Sequence, residues 1–183
     1  MSLTFAEEQV SDCWDDVLAL ATQHWAGTQS YRRHEPFRPS RQRYEACNQT
    51  GFLILLTARD HARLVGYLAL YLTASMHSQL PMAVEDTFFL HPDYRGGRNA
   101  LRFIRYMEAL CRARGIHELL FSCEIDNQSG IHGLLKLLDY QPVIVQYAKA
   151  LQAAVVERHV HIGADSPTTD VVEVHVGPTP AQI

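Results

Sequence analysis

Residues Val84 to Gly115 constrain the fold of this chain more than any other stretch does. They begin as an apolar strand pattern, pass through a short turn rich in glycine and arginine, and end in apolar residues at helical spacing. In such a turn the first amides of the helix lack intrahelical acceptors, and the helix dipole favours negative charge. The stretch therefore predicts a strand, an anion-binding turn and a long helix.

The turn differs from two common phosphate loops. No Lys-Ser or Lys-Thr pair follows a second glycine, as it would in a P-loop, and the three-glycine spacing of a Rossmann fingerprint is absent. The residues whose backbone amides would face an anion are Arg95, Gly96, Gly97, Arg98, Asn99 and Ala100. A solvated helix start is the alternative interpretation of the two arginines, because arginine is usually an exposed residue.

The turn resembles the acyl-coenzyme A loop of the GNAT superfamily of acyltransferases, through His-Pro-Asp-Tyr-Arg-Gly after an apolar strand and Ala100 before an apolar-striped helix. In that family the loop amides and the helix N-terminus hold the pyrophosphate of the cosubstrate. Arg95 and Ala100 fit the usual loop pattern, whereas Arg98 stands where glycine is usual. The Tyr-Arg-Gly-Gly sequence is also similar to small GNAT-like proteins of bacteriophages and prophages.

The order of predicted elements resembles that of the same family: strand, two helices, three strands, helix, strand, helix, strand. Ser11 and Ser40 are the expected N-caps of the first two helices, and an Arg59-Asp60-His61 turn is expected to join the second and third strands. Besides the long helix, the predicted elements are Leu3–Phe5, Ser11–Trp25, Ser40–Cys47, Phe52–Thr57, Leu64–Leu72, Met82–Leu90, Glu118–Ile125, Ser129–Leu138 and Pro142–Leu151. This order predicts an α/β fold whose central sheet is mixed, with antiparallel hairpins early and a strand-helix-strand unit late. The resemblance implies a splay between the fourth and fifth strands.

The sequence also predicts how the chain is divided. A GNAT domain is expected over residues 1–151, and residues 152–183 are expected to form a C-terminal extension, either a tail or an added strand. The sequence leaves open whether the chain forms a homodimer, and the alternating segment Val171 to Val176 is one candidate for adding to a sheet edge.

The resemblance implies that the pantetheine arm of acetyl-CoA pairs with the main chain of the fourth strand at Phe88 and Leu90. The side chains of these two residues are expected to pack in the core, as in any apolar strand. Asn127 stands where many members carry an asparagine that hydrogen-bonds the pantetheine. A turn residue or a helix N-cap is an equal alternative for Asn127.

Transfer to an amine requires a proton acceptor, because only a neutral amine attacks a thioester. Glu85 is the candidate, since glutamates at this position serve as bases in several members that the chain resembles. Strand alternation places Glu85 and Asp86 on opposite faces, so at most one of them faces the acceptor. The alternative for Glu85 is a charged residue at a strand end.

The general acid of the family has no counterpart at its usual position. Many members use a helix tyrosine to protonate the departing thiolate, and Leu135 occupies that position here. Tyr140 stands where a packing aromatic is usual, so solvent is the expected proton donor unless Tyr140 or Tyr147 reaches the sulfur. The coenzyme A thiolate leaves readily enough for transfer to proceed without the tyrosine.

Charge and composition restrict the partners. The net charge of −4 disfavours a general nucleic-acid surface, and the four cysteines contain no CxxC pair that would indicate zinc or a disulfide framework. No run of about 18 apolar residues and no signal peptide occurs, so we expect a cytoplasmic location and no membrane partner. His159, His161 and His175 form too weak a pattern to predict a metal site.

The acceptor is expected between the loop Thr73 to Pro81, which joins the third and fourth strands, and the connection between the first two helices, which interleaves arginines with aromatic residues from Tyr31 to Arg43. An acidic or phosphate-bearing acceptor and a merely solvated loop are both compatible with this composition. The predicted function is direct transfer of acetyl from acetyl-CoA to a primary amine in a ternary complex. Arg98 and Leu135 favour the alternative, an inactive binding module that contacts a protein partner with or without coenzyme A.

Overall fold

The computed structural model describes residues 3–28, 36–123, 130–147 and 149. Residues 1–141 form one compact unit and residues 142–183 a second.

In the second unit the described residues, 142–147 and 149, form no helix or strand, so the strand predicted at Pro142–Leu151 is wrong over that part. Apolar alternation favours a strand, but a strand also requires ladder hydrogen bonds, which these described residues lack. The predicted boundary at residue 151 and the extension 152–183, with Val171 to Val176, lie outside the described residues and stay predictions.

The described part of the chain contains one five-stranded sheet, in the spatial order of the sequence. Its strands are β1 (Thr4–Glu8), β2 (Leu53–Asp60), β3 (Arg63–Ala74), β4 (Pro81–Leu90) and β5 (Glu118–Leu120). The first four strands pair antiparallel, whereas β5 runs parallel to β4. The predicted mixed sheet is therefore confirmed. The hairpin predicted to turn at Arg59 to His61 turns at His61 and Ala62, since β2 continues through Asp60 and β3 begins at Arg63.

Within the described residues, four α-helices flank the sheet: α1 (Val10–Thr28), α2 (Arg41–Gln49), α3 (Asn99–Ala113) and α4 (Ile131–Leu137). Ser40 caps α2 as predicted, because its hydroxyl accepts a hydrogen bond from the Arg43 amide at 3.4 Å. Ser11, in contrast, is not the cap of α1, which begins at Val10. The side-chain oxygen of Asn48 in α2 accepts from the Val10 amide at 3.0 Å, so this helix start is capped from another helix.

The sheet is buried on both faces because consecutive leucines of β2 point to opposite sides. The α3-side core joins α3 to one face of the sheet and contains Phe103, Ile104, Met107, Ile54, Leu56, Leu68, Leu70, Ala83 and Leu90. The α1-side core joins α1 to the other face and contains Val10, Cys13, Leu20, Leu53, Leu55, Tyr67, Ala69 and Phe89. This two-sided burial explains the nearly continuous apolar sequences of β2 and β3.

A bulge in β4 changes which residues face each core. Ala69 pairs with Thr87 and Leu70 pairs with Glu85, so Asp86 is an extra residue that no β3 residue opposes. Paired residues point to the same face of a sheet, and Leu70 belongs to the α3-side core while Ala69 belongs to the α1-side core. Glu85 therefore lies on the α3 face, and Thr87 lies on the α1 face.

The strands β4 and β5 separate shortly after they meet. Their pairing runs from Met82 opposite Glu118 to Val84 opposite Leu120, and it ends there. The predicted splay between the fourth and fifth strands is confirmed. The fifth strand is shorter than its predicted range Glu118–Ile125, because residues 121–123 no longer lie against β4 as a strand and residues 124–125 are outside the described residues.

Gly66 of β3 makes room for the end of β4, where the anion-binding turn begins. A methyl group at Gly66 would lie 2.7 Å from Leu90 Cδ1 and 2.9 Å from the Phe89 carbonyl oxygen. The carbonyl cannot move away by changing a rotamer, so we expect Gly66→Ala to lower the free energy of unfolding by about 1–3 kcal/mol in urea titrations. Gly133→Ala is the control, because a methyl group there meets nothing within 4 Å. An equally small effect at both glycines would contradict the predicted overlap.

Candidate active site

The anion-binding turn links the end of β4 to α3 and is held by side chains from both sides. It contains a 3₁₀ turn, Pro92–Tyr94, and the hydroxyl of Tyr94 donates a hydrogen bond to Asp60 Oδ2 at 2.9 Å. The side-chain amide of Asn99 donates to the Tyr94 carbonyl at 3.1 Å and closes the turn onto the start of α3. The side chain of Asn99 thus shapes the turn instead of pointing away from it.

The N-terminus of α3 has the features that anion binding requires. Arg98 is its N-cap residue and makes no side-chain capping hydrogen bond, so no side chain of the helix start competes for the first amides. Gly97 adopts a φ of +68°, a left-handed conformation that side chains rarely adopt, and a methyl group at Gly96 or Gly97 would meet nothing within 4 Å. The residues present therefore fit a diphosphate group approaching this exposed turn.

The two arginines of the turn have different surroundings. Arg95 Nε donates to the Leu90 carbonyl at 2.8 Å, and its guanidinium carbon lies 5.4 Å from the centre of the Phe89 ring. Arg95 therefore braces the turn against β4, as well as adding positive charge beside it. Arg98, which stands where glycine is usual, is exposed at the helix start.

The remaining predicted cosubstrate residues lie along β4 and α3. Phe88 packs in the α3-side core, with ring centres 5.8 Å from those of both Phe103 and Phe121, and Leu90 is buried there as well. Ala100 packs against the same core at the start of α3. The main-chain contacts predicted for Phe88 and Leu90 stay predictions, and Asn127 lies outside the described residues.

Glu85 occupies the opening of the splay between β4 and β5. Its side chain is only 6% exposed, and Glu85 Oε2 accepts a hydrogen bond from the Ser122 amide at 3.1 Å. Burial raises the pKa of the Glu85 carboxyl to about 8; the Ser122 hydrogen bond partly opposes this rise, and the nearby charge of Asp86 adds slightly to it. A carboxyl with this pKa can exchange protons near neutral pH, as a general base must.

A cavity of about 230 Å³ lies on the other face of the sheet, beneath α1 and α2. We call it the aromatic cavity, because Trp14, Trp25, Phe37 and Tyr44 line it together with Asp86 and Thr87. Sequence alternation correctly predicted that Glu85 and Asp86 face opposite sides, and the structure places Asp86 on the cavity side. The arginine-rich connection is described only in part. Phe37 lines the aromatic cavity, and Arg41 Nε forms a salt bridge with Glu45 Oε1 at 2.7 Å. Four of its predicted residues lie outside the described residues: Tyr31, Arg32, Arg33 and His34.

A partly buried polar cluster that lines the aromatic cavity was not predicted from the sequence. His24 Nδ1 lies 3.0 Å from the Tyr67 hydroxyl and 3.2 Å from Thr87 Oγ1, and the His24 ring stacks on Phe89 with centres 4.9 Å apart. Burial, followed by the charge of Arg95, lowers the pKa of His24 to about 4, so the imidazole is neutral at pH 7. The only available sequence signal was the helical spacing of His24 with the residues of α1 that face the sheet.

The position of the usual tyrosine acid is occupied by a core residue. Leu135 of α4 is buried in the α3-side core, and its aliphatic side chain has no acidic proton. Tyr140 packs at the edge of the same core, with its ring centre 6.2 Å from the Phe121 ring centre.

Among the described residues, no group of three or more His, Cys, Asp or Glu side chains could hold a metal ion, and His159, His161 and His175 lie outside them.

Comparison with known proteins identifies the family. The model of the Acetyltransferase (GNAT) family matches residues 14–139, which include most of α1, the anion-binding turn and α4. The chain belongs to the GNAT family of acetyltransferases. Its membership favours an enzyme over a non-catalytic binding module. No curated relative matches the sequence of this GNAT acetyltransferase.

Solved structures share the fold of this GNAT acetyltransferase at low sequence identity. A ribosomal-protein-alanine N-acetyltransferase from Brucella melitensis biovar Abortus 2308 is 19% identical, with a TM-score of 0.65, over 82% of this chain and 100% of that one. An aminoglycoside acetyltransferase from an uncultured soil metagenomic sample, in complex with sisomicin, is 12% identical, with a TM-score of 0.67, over 82% and 97% of the two chains. AAC(6')-Iy, in complex with a bisubstrate analog containing CoA, is 14% identical, with a TM-score of 0.63, over 82% and 100%. In the described part of this chain, no helix has the length and apolar character needed to cross a membrane.

Proposed function

We propose that this GNAT acetyltransferase transfers an acetyl group from acetyl-CoA to a primary amine, directly and within a ternary complex. One observation carries the proposal: the splay between β4 and β5 holds the carboxyl of Glu85 at its opening, with the anion-binding turn at the far end of β4. The amine would meet the thioester at this opening, beside the Glu85 carboxyl and on the face of the sheet opposite to Asp86.

The residues that would contact acetyl-CoA follow one another from its pyrophosphate to its pantetheine arm. The backbone amides of residues 96–100, with Arg98 beside them, would hold the pyrophosphate at the N-terminus of α3. Arg95 would keep the turn in place through its bond to the Leu90 carbonyl. The main chain of Phe88 and Leu90, and the side chain of Asn127, would hold the pantetheine arm.

Glu85 is the proposed general base. The amine nitrogen attacks the thioester carbonyl carbon, an N–C bond forms, and the C–S bond breaks as the electron pair leaves with sulfur. The N–H proton passes to the Glu85 carboxylate, directly or through one water molecule. Since Leu135 has no acidic proton, the thiolate takes its proton from solvent. No covalent enzyme intermediate is involved in this sequence.

The test is a coupled measurement of the two products. With acetyl-CoA and a set of primary amines, we expect free thiol and N-acetylated amine to appear in equal amounts and only when the protein is present. The matched tertiary amines, which cannot lose an N–H proton, should give no thiol above the uncatalysed rate. A folded protein that binds acetyl-CoA but produces no N-acetyl product with any of the amines would contradict the proposal.

A further inference from the structure

A thiol and an imidazole form a pair at the opening of the splay, close to Glu85. Cys123 Sγ lies 3.4 Å from His132 Nδ1, a distance at which sulfur and a ring nitrogen share a hydrogen bond. The residue before Cys123 is Ser122, whose amide donates to Glu85 Oε2 at 3.1 Å. The pair is therefore tied to the carboxyl of the proposed base through two consecutive residues.

The thiol lies on the same face of the sheet as the Glu85 carboxyl. Phe121 and Cys123 both pack against the α3-side core, whereas Ser122 between them is exposed. Side chains of an extended chain alternate in this way. Because Glu85 also lies on the α3 face, the thiol and the carboxyl belong to the side of β4 on which the thioester would be attacked.

His132 links the half-buried thiol to water. It belongs to α4, three residues before Leu135, so the two side chains lie about one turn apart on one face of that helix. Leu135 is 7% exposed, whereas His132 is an exposed residue. An imidazole can give a proton from one ring nitrogen and take one at the other, so it can renew a proton that the thiol has lost.

The Cys123 thiol keeps its proton under the conditions in which Glu85 works as a base. Burial, followed by the charge of Glu85, raises the pKa of Cys123 above that of an ordinary thiol. Glu85 is half ionised at about pH 8, where such a thiol is still protonated. The raised pKa also makes Cys123 a poor nucleophile, which agrees with direct transfer. Cys123 is therefore better suited to giving a proton than to accepting an acetyl group.

We propose that Cys123 gives its proton to the sulfur of coenzyme A as the thioester breaks, and that His132 returns a proton to Cys123 from solvent. The assignment rests on the proposed function and adds a proton path to it. The electron pair of the breaking C–S bond leaves with the coenzyme A sulfur, which takes the proton of Cys123 Sγ. The Cys123 thiolate takes a proton from His132 Nδ1, and the imidazole takes one from solvent at its other nitrogen. Solvent remains the final source of the proton, and no bond forms between the acetyl group and the protein.

A disulfide of coenzyme A tests the placement of Cys123 without any turnover. The probe is the mixed disulfide of coenzyme A with 2-thiopyridine, incubated with the full chain at about pH 9, where thiols ionise more readily. Attack by Cys123 Sγ forms a disulfide bond to the coenzyme A sulfur and releases pyridine-2-thione, whose absorbance gives the rate. Peptide mass spectrometry should find Cys123 modified at least about tenfold faster than Cys47, because the bound probe holds its sulfur beside Cys123.

The comparison with Cys47 is matched, because Cys47 is also half-buried but packs against the α1-side core. 2,2′-Dithiodipyridine, which has the same leaving group without coenzyme A, should lack the preference for Cys123. Excess acetyl-CoA should slow the reaction of Cys123 with the coenzyme A probe. Equal rates at Cys123 and Cys47, or the same preference with both reagents, would overturn the placement.

Kinetics with two acyl donors test the proton transfer itself. Cys123→Ser keeps the size of the side chain and a hydroxyl for His132, but a hydroxyl is a far weaker acid than a thiol. With acetyl-CoA we expect kcat to fall about 10–100-fold with little change in KM, since a thiolate already leaves well and needs less help than most leaving groups. With the selenium analogue of acetyl-CoA the fall should be less than about threefold, because a selenolate leaves without a proton. Cys47→Ser should leave both rates unchanged.

His132→Asn tests the second step of the path. Asparagine keeps a hydrogen-bonding group beside Cys123 but cannot relay a proton. We expect kcat with acetyl-CoA to fall and to recover when imidazole is added to the buffer, whereas the wild type should not respond to imidazole. A loss that imidazole does not restore would contradict the relay through His132.

The two donors also separate this assignment from the reaction on which it rests. An equal fall with both donors would mean that Cys123 only shapes the splay, and no fall with acetyl-CoA would mean that solvent reaches the sulfur directly. Either result overturns the assignment and leaves the proposed transfer intact. No transfer by the wild type from either donor would overturn both.

Discussion

Replacing Glu85 by glutamine is expected to lower kcat/KM for acetyl transfer by about 10²–10⁴-fold, the usual contribution of a positioned general base. Glutamine keeps the shape of the side chain and can still accept the Ser122 amide through its carbonyl oxygen, so the splay should keep its geometry. Only the ability to take a proton is lost. Initial rates of thiol release over a range of amine concentrations would measure the change.

The pH dependence gives this prediction a second readout. Burial raises the pKa of Glu85 to about 8, and a base works only in its ionised form, so the wild-type kcat should reach half its plateau at about pH 8 and level off about one pH unit higher. The residual activity of Glu85→Gln should lack this rise. Glu118→Gln, an exposed glutamate of β5, is the matched control and should keep the wild-type profile. A Glu85→Gln variant with full activity, or with an unchanged pH profile, would show that Glu85 is not the base.

Truncating Phe103 to alanine is expected to lower the free energy of unfolding by about 3–5 kcal/mol, as is usual for a large ring removed from a core. Phe103 is 0% exposed, its ring stacks on Phe5 at 4.9 Å, and it lies 5.8 Å from the Phe88 ring. The change therefore leaves a cavity among β1, β4 and α3 at once. Chemical denaturation monitored by circular dichroism would measure it.

Two other substitutions serve as controls for the loss of stability expected from Phe103→Ala. Phe103→Leu keeps most of the buried volume and should cost clearly less than the alanine variant. Phe52→Ala removes a phenylalanine that is 46% exposed, so its loss of stability should also be smaller. Comparable losses for Phe103→Ala and Phe52→Ala would contradict the conclusion that α3 is anchored to the sheet mainly through its buried face.

The sequence predicted the elements that depend on local signals. The strand, turn and helix from Val84 onward were correct, because apolar periodicity and a glycine-rich break specify them within a few residues. Ser40 was correctly predicted as an N-cap for the same reason, because its hydroxyl accepts a hydrogen bond from an amide only three residues away. The antiparallel hairpin of β2 and β3 also followed from two neighbouring apolar runs.

Features that depend on distant residues were missed. Helix α1 begins at Val10 because Asn48, from another helix, accepts its first amide, and no local signal at Ser11 could indicate that. The bulge that places Asp86 on the cavity side arises from pairing with β3, not from the sequence of β4 alone. Likewise, His24, Tyr67 and Thr87 come from three separate elements and meet only in the folded chain.

We infer that the turn before α3 binds the pyrophosphate of acetyl-CoA, and calorimetric titration with two ligands measures this binding. The ligands are acetyl-CoA and S-acetylpantetheine, which carries the same thioester without the pyrophosphate. Several charge-assisted hydrogen bonds separate the two, each worth about 1.5–3 kcal/mol, so we expect one-to-one binding of acetyl-CoA and binding of S-acetylpantetheine at least about 30-fold weaker. Equal affinities for the two ligands, or no binding of acetyl-CoA by the folded protein, would contradict the claim.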